Sequence, residues 1–248
     1  TILQEVPKMG YKEIYNEWLT NAYFDADTKA ELERIASDEN EIKERFYTDL
    51  EFGTAGLRGV IGAGTNRMNI YVVRQATQGL ANYILKSGNA EKGVAIAFDS
   101  RRMSPEFAQE AACCLAANGI KAYVFDSLRP TPELSYAVRK LGCIAGINIT
   151  ASHNPPEYNG YKVYWEDGAQ ITPPHDKGIM DEVKAVTDYT TMKTMPAEDA
   201  KAAGLYEVIG AEVDDAYIAE LKKQVIHQDA IDAVGKDLKI VYLSLIHI

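Results

Sequence analysis

The sequence predicts an α/β fold: a three-layer α/β/α domain with a mostly parallel mixed sheet, followed by an incomplete second α/β domain. Between residues 93 and 149, short apolar runs alternate with amphipathic helical patterns, which is typical of a parallel sheet with helical crossovers. A turn signature at Asp167-Gly168 then separates two further strand-like runs. This added hairpin indicates a sheet that is mixed at one edge.

The composition and charge limit the class of protein. The chain has 248 residues, 46% of them hydrophobic, which suits one large domain or two small ones. The net charge of −10 argues against nucleic-acid partners, since a phosphate backbone binds basic surfaces. No apolar run reaches the roughly 18 residues of a membrane helix, and no secretion signal is present, so we expect a cytoplasmic protein without a membrane partner. The three cysteines lack disulfide or metal spacing and are expected to be buried thiols.

Residues 1–50 are predicted to form a helical lead-in. Residues 1–8 precede Met9, and we expect them to lie upstream of the native start. Helix-forming residues then recur at helical spacing over residues 11–21, 27–36 and 39–47. Asp27 and either Ser37 or Asp38 are the expected N-caps.

A glycine-rich run covers residues 52–64 and contains one cation, Arg58. The order of its glycines matches neither a dinucleotide-binding loop nor a P-loop. The open alternatives are a functional loop and a loop whose glycines only permit positive φ.

The central part alternates helix and strand. The predicted strands are residues 93–99, 121–126 and 143–149, and an earlier helix covers residues 70–87. Two helices open with Ser104-Pro105-Glu106 and Thr131-Pro132-Glu133, where the hydroxyl residue is the expected N-cap. They are expected to end at Gly119 and Gly142.

The last part begins a second unit. Asn159-Gly160 is predicted to be a tight turn before a hairpin of residues 161–166 and 169–172, and a helix follows over residues 174–186. Residues 187–210 lose periodicity and are expected to connect two domains, at 51–205 and 206–248. The second domain would contain only a helix at 214–227 and a strand at 238–243.

Ser152 is expected on a turn at the carboxyl end of a buried strand, where open α/β sheets place their chemistry. Pro155 and Pro156 forbid a helix after it, so the serine lies on a stiff loop. A serine hydroxyl there suits in-line phosphoryl transfer, which depends on positioning and on nearby cations. A Ser152–His153 dyad is rejected, because adjacent side chains point apart on an extended segment.

Three motifs in order resemble those of the α-D-phosphohexomutases, the phosphoglucomutase and phosphomannomutase superfamily. The motifs are residues 52–59, Asp99-Ser100-Arg101, and residues 150–156 with Tyr158-Asn159-Gly160-Tyr161-Lys162. The resemblance covers residues 11–241 and is nearest to the phosphoglucomutase and phosphopentomutase branch. It implies transfer between a phosphoserine and a sugar phosphate through a bisphosphorylated intermediate, with glucose 1- and 6-phosphate or ribose 1- and 5-phosphate as substrates. It also implies Mg²⁺ as cofactor and a sugar bisphosphate as activator.

The resemblance gives roles to three residues. Ser152 would carry the phosphate and bind Mg²⁺ through it. Arg58 and Lys162 would contact phosphate and transfer protons. Two cations held near each other can lower the pKa of a lysine, so that its neutral amine acts as a base.

Four more residues are candidates for phosphate binding. His153 would orient the loop, contact phosphate or serve the structure alone, and Asn154 would cap the turn or contact phosphate. Arg101 or Arg102 would contact phosphate, pin the Ser152 loop through its fork of donors, or form an ordinary salt bridge.

The resemblance further implies that the chain is an N-terminal fragment. The family's three-aspartate metal loop does not occur in it, and residues 243–248 depart from the family's pattern, so we expect that they are not native. Two other functions stay open: a non-catalytic phosphosugar-binding module, and a hydrolase that uses Ser152. The sequence leaves the preferred sugar and the oligomeric state open.

Overall fold

The computed structural model describes residues 10–53 and 56–241 of the chain. The predictions for residues 1–8 and 243–248 lie outside these residues. The α-helices are α1 (Tyr11–Thr20), α2 (Ala26–Arg34), α3 (Glu39–Phe46), α4 (Ile70–Ser87), α5 (Ser104–Ala117), α6 (Thr131–Leu141), α7 (His175–Ala185), α8 (Ala197–Ala202), α9 (Ala211–Lys222) and α10 (Gln228–Val234). The strands are β1 (Gly56–Val60), β2 (Val94–Phe98), β3 (Ala122–Phe125), β4 (Ala145–Ile149), β5 (Tyr158–Trp165) and β6 (Tyr206–Ile209).

The strands form one mixed sheet in the order β1-β5-β4-β2-β3-β6. Strands β4, β2, β3 and β6 are parallel. Strand β5 runs antiparallel to β4, and β1 runs antiparallel to β5. The predicted fold class is confirmed, and the mixed edge consists of β5 and β1.

Helices cover both faces of the sheet. On one face, α4, α5 and α7 pack on side chains such as Ile96 and Ile147. On the other face, α6 and α9 pack on Ala95 and Ala97 through Leu134 and Val213. The N-terminal helices α1 to α3 form a third apolar cluster around Trp18, Phe24 and Phe46. No helix among the described residues is long and apolar enough to cross a membrane.

The capping residues at the helix ends agree with several of the predicted helix boundaries. Gly88 and Gly142 are left-handed C-caps of α4 and α6, and Asp38 caps α3 by accepting from the Glu41 amide. Asp27 is not a cap, because Asp25 takes that place and Asp27 lies in the first turn. The predicted buried cysteines are confirmed: Cys113, Cys114 and Cys143 are buried and free.

Two predictions about the sheet edge are wrong. Residues 56–60, which were expected to be part of a loop, form β1 against β5. Asn159 and Gly160 are not a turn but lie inside β5, opposite Gly59 and Arg58. Pairing of β5 on both sides overrides the local turn preference of Asn-Gly, because the paired strand satisfies its backbone groups.

Gly160 is required where β5 passes between its neighbours. A Cβ at this position would lie 2.6 Å from the Thr150 carbonyl oxygen and 2.8 Å from that of Leu57. We therefore expect Gly160→Ala to lower the free energy of unfolding by about 1 to 3 kcal/mol, measured by urea denaturation. Gly53→Ala, whose Cβ would have only a 3.7 Å contact, is the control. Equal stability of the two variants would contradict this packing argument.

The predicted domain connection also differs from the structure. Residues 187–210 contain α8 and β6, and β6 pairs in parallel with β3, so the sheet continues past residue 205. The second half of the predicted hairpin is reduced to a bridge between Tyr164 and Gln170. Residues 238–241 do not form the predicted strand, and residues 242 and 243 lie outside the described residues.

Candidate active site

The Ser152 loop leaves the sheet at the carboxyl end of β4. Ser152 has a φ of 57°, in the left-handed region that non-glycine residues rarely adopt. Its amide donates to Thr150 Oγ1 at 3.0 Å, and the Asn154 amide donates to the Ala151 carbonyl at 3.1 Å. These bonds hold a tight turn in which the serine keeps a conformation that costs about 1 kcal/mol or more.

Arg101 pins this loop. Its side chain is buried, and its two terminal nitrogens donate to four loop carbonyl oxygens, those of Ser152, Asn154, Pro155 and Tyr158, at 2.6 to 3.0 Å. The Nε atom lies 3.5 Å from Asp99 Oδ2. Of the alternatives for Arg101, the structure therefore shows the loop contact, and the four terminal N–H groups have partners within the chain.

A largely buried network of polar side chains lies next to Arg101 and supports it. Asp99 Oδ1 accepts from the Arg101 amide at 3.0 Å and from Ser104 Oγ at 2.9 Å. Asn159 Nδ2 donates to Ser104 Oγ and to the Arg102 carbonyl oxygen. Ser104 is therefore not the predicted N-cap, because Met103 takes that position and the hydroxyl turns inward. No local signal identifies this role, since the partners of Ser104 lie 5 and 55 residues away.

The argument against a Ser152–His153 contact is wrong. Ser152 Oγ and His153 Nδ1 lie 3.2 Å apart, within hydrogen-bond reach. The positive φ of Ser152 breaks the extended alternation that would separate neighbouring side chains. His153 is exposed, and no carboxylate orients its ring within the described part of the chain.

Arg58 and Asn154 meet over the loop. Arg58 extends from β1, and its terminal nitrogen donates to Asn154 Oδ1 at 3.0 Å. The predicted capping role of Asn154 is not observed, because its side chain bonds to Arg58 rather than to its own turn. Arg58 is exposed, so further N–H groups of its guanidinium face solvent beside Asn154, two residues after Ser152.

Lys162 lies on β5, two residues after Gly160, which is the register partner of Arg58. The side chains of Lys162 and Arg58 therefore share a face of the sheet. Burial lowers the pKa of Lys162, the charge of Arg58 lowers it further, and Asp99 opposes the change. The direction agrees with the expectation, but burial is the larger cause. A half-buried amine of lowered pKa is suited to accepting and returning a proton.

The Arg102 side chain forms no bond with the other candidate residues that the structure describes. Its side chain is exposed and has no hydrogen-bond or ion-pair partner within residues 10–53 and 56–241. Its main-chain oxygen accepts from Asn159, next to the loop that Arg101 holds. The side chain therefore stays a candidate for contact with an anion in solution.

Comparison with known proteins identifies the family. Residues 49–190 match the family described as "Phosphoglucomutase/phosphomannomutase, alpha/beta/alpha domain I". The chain belongs to this family. The matched residues include β1 to β5 and therefore the Ser152 loop with Arg58, Arg101 and Lys162.

Relatives of this phosphoglucomutase/phosphomannomutase domain differ in their named substrates. A Schizosaccharomyces pombe protein named "Probable phosphoribomutase" is 45% identical over 68% of the chain and 29% of its own length. A Staphylococcus epidermidis phosphoglucomutase is 36% identical over 96% of the chain and 40% of its own length. The chain thus spans about a third of these curated relatives. A solved structure from Thermus thermophilus, assigned as a phosphomannomutase, has 29% identity and a TM-score of 0.58 over 72% of the chain and 36% of its own.

The Mg²⁺ ion implied by the family is not accommodated by the described residues. Among them, no group of three or more His, Cys, Asp or Glu side chains could hold a metal ion. Ser152 contributes a single oxygen, and the nearby Asp99 carboxylate already binds Arg101 and Ser104.

Proposed function

We propose that this domain is the phosphate-carrying part of a sugar-phosphate mutase and that Ser152 is the carrier. The observation that supports it most is the presentation of Ser152: a strained serine, clamped by a buried arginine, with Arg58 and Lys162 on the adjoining strands. Phosphoryl transfer needs little covalent chemistry from the protein, so such positioning and local positive charge supply most of the catalysis.

The proposed step transfers a phosphoryl group from Ser152 to a hydroxyl of the bound sugar phosphate. The P–O bond to Ser152 Oγ breaks, and a P–O bond to the sugar oxygen forms. Neutral Lys162 takes the proton of that sugar hydroxyl, the leaving Ser152 oxygen takes up a proton from water, and Arg58 faces the phosphoryl oxygens. In the second half-reaction the Ser152 hydroxyl attacks the other phosphate of the bisphosphate and releases its proton to water, and Lys162 returns its proton to the sugar oxygen that leaves.

The substrate class follows from the relatives' names and is part of the proposal. A phosphoribomutase acts on a pentose phosphate and a phosphoglucomutase on a hexose phosphate. We propose a sugar phosphate of one of these two kinds, with a sugar bisphosphate as activator and Mg²⁺ as a cofactor whose ligands other than the Ser152 phosphate would come from outside the described residues. Because the chain covers about a third of its relatives, we expect residues 1–248 alone to show no mutase turnover.

Intact mass spectrometry tests the carrier. Two forms of the protein are each incubated with glucose 1,6-bisphosphate and Mg²⁺. One is residues 1–248 alone, and the other is the longer parent protein that contains them. We expect the parent protein to gain one phosphoryl group, which peptide mapping places on Ser152 and which Ser152→Ala abolishes. Ser127→Ala is the matched control, since Ser127 is an exposed serine after β3, which lies two strands from β4 in the sheet. Reversible binding without a gain in mass would instead support a phosphosugar-binding module.

The Ser152–His153 contact makes a hydrolase the second candidate. A hydrolase of this kind needs a base that a third group orients, and His153 has no such partner among the described residues. We expect a serine-directed phosphonylating probe to leave Ser152 unlabelled. Stoichiometric labelling that His153→Ala prevents would contradict the carrier proposal.

A further inference from the structure

A buried amide oxygen next to the candidate site lacks a partner. Asn148 lies on β4, is 1% exposed, and donates from Nδ2 to Thr131 Oγ1 at 2.7 Å. The same amide group also faces the Tyr164 hydroxyl and lowers its pKa, against the larger effect of burial. Its Oδ1 has no hydrogen-bond partner among the described residues. An unpaired buried acceptor costs about 1 to 3 kcal/mol and calls for an explanation.

The residue directly across the sheet from Asn148 is Lys162. The two are register partners in the antiparallel pair of β4 and β5, so their side chains share one face with Cβ atoms about 5 Å apart. The Lys162 ammonium has no hydrogen-bond or ion-pair partner in the described part of the chain. A buried acceptor without a donor thus lies opposite a half-buried donor without an acceptor.

We propose that Asn148 is a positioning residue for Lys162: in the working site its Oδ1 accepts a hydrogen bond from the Lys162 amine. The Thr131 hydroxyl accepts from the amide nitrogen, so in this arrangement the amide oxygen is the end that lacks a partner among the described residues. The bond holds the lysine over the carboxyl end of β4, from which the Ser152 loop extends. This inference rests on the proposed function only in giving Lys162 a role in proton transfer.

An amide suits this position better than a carboxylate. The charged groups that face Lys162 are Arg58 from β1 and Asp99 from the end of β2, and they oppose each other. A further carboxylate at position 148 would favour the ammonium form strongly, since an opposite charge within about 4 to 6 Å shifts a pKa by about one to three units. The neutral amide oxygen orients the amine with a smaller effect on its charge.

Chemical labelling of Lys162 tests the inference without requiring mutase activity. The pH dependence of acylation by limiting acetic anhydride, followed by mass spectrometry of the Lys162 peptide, gives the titration midpoint of this amine. We expect Asn148→Asp to raise the midpoint by about one unit or more. We expect Asn148→Leu to lower it, because the ammonium loses its acceptor. Exposed Lys140 in the same spectra is the internal control and should not differ between variants.

The same variants in the parent protein give a second measurement. If Lys162 transfers the proton, Asn148→Leu should lower kcat several-fold with KM unchanged, and Asn148→Asp should move the corresponding limb of the pH–rate profile to higher pH. Equal Lys162 midpoints in the wild type and in Asn148→Leu would overturn the positioning role. A shifted midpoint in a protein without mutase activity would leave the positioning role intact and contradict the proposed function instead.

Discussion

Arg101→Met is expected to lower the free energy of unfolding by about 3 to 5 kcal/mol. Arg101 is 7% exposed and holds the four loop carbonyl oxygens. Methionine fills a similar volume but leaves the partly buried Asp99 carboxylate without its guanidinium neighbour. Urea denaturation measures the loss of stability, and limited proteolysis within residues 150–158 reports the release of the loop.

Arg102→Met is the matched control for Arg101→Met. The two arginines are adjacent in sequence, but the Arg102 side chain is exposed and without a partner among the described residues. Its replacement should change stability by no more than about 0.5 kcal/mol. Similar losses in the two variants would mean that the clamp contributes nothing beyond an ordinary surface cation.

The second large effect is a pH-dependent stability that depends on Glu133. Glu133 is 5% exposed, and burial together with the neighbouring Asp214 raises its pKa from 4.5 to about 7. Arg129 binds both oxygens of Asp214 at 2.7 Å, which keeps Asp214 ionised and leaves Glu133 to carry the proton. The first-turn position of Glu133 favours its ionised form by at most about 1 kcal/mol, less than burial and Asp214 contribute.

The sign follows from the raised pKa. Protonated Glu133 contributes stability that is fully present below pH 4.5 and is lost as the pH rises through about 7. One unit of pKa corresponds to about 1.4 kcal/mol, so the loss by pH 8 amounts to at most about 3 to 4 kcal/mol. Glu133→Gln keeps the hydrogen bond to Asp214 without an ionisable proton. It should therefore be more stable than the wild type at pH 8, and the difference should shrink towards pH 5.

Thermal unfolding of both proteins across this pH range measures the effect. Glu106→Gln is the matched control, since Glu106 holds the equivalent first-turn place in α5 but is exposed. The control should follow the wild type at every pH. A Glu133→Gln curve that runs parallel to the wild-type curve would show that Glu133 does not titrate in this range.

The sequence predicted the central sheet well because its strands carry their own signals. Strand β2 is apolar along its whole length and β4 is apolar except for Asn148, because strands covered on both faces are formed mostly by apolar residues. Left-handed glycines mark the ends of the helices between the strands. These properties are local, so the pattern of residues alone reveals them.

The errors occur where distant parts of the chain decide the structure. Asn159-Gly160 has the composition of a turn, and only its pairing with β1 and β4 makes it a strand. Ser104 precedes a proline as an N-cap would, but Asp99 and Asn159 take its hydroxyl. The contact of Ser152 with His153 depends on a positive φ that serine rarely adopts. The motifs identified the candidate residues, whereas the contacts between them required the fold.

The Arg101 clamp binds the Ser152 loop only through main-chain oxygens. Every residue type supplies such an oxygen, so the clamp recognises the path of the backbone and not the side chains along it. Substitutions at exposed positions such as His153 and Glu157 can alter the groups that the loop offers to a ligand while its shape is kept. The shape of the loop and its chemistry are therefore able to evolve separately.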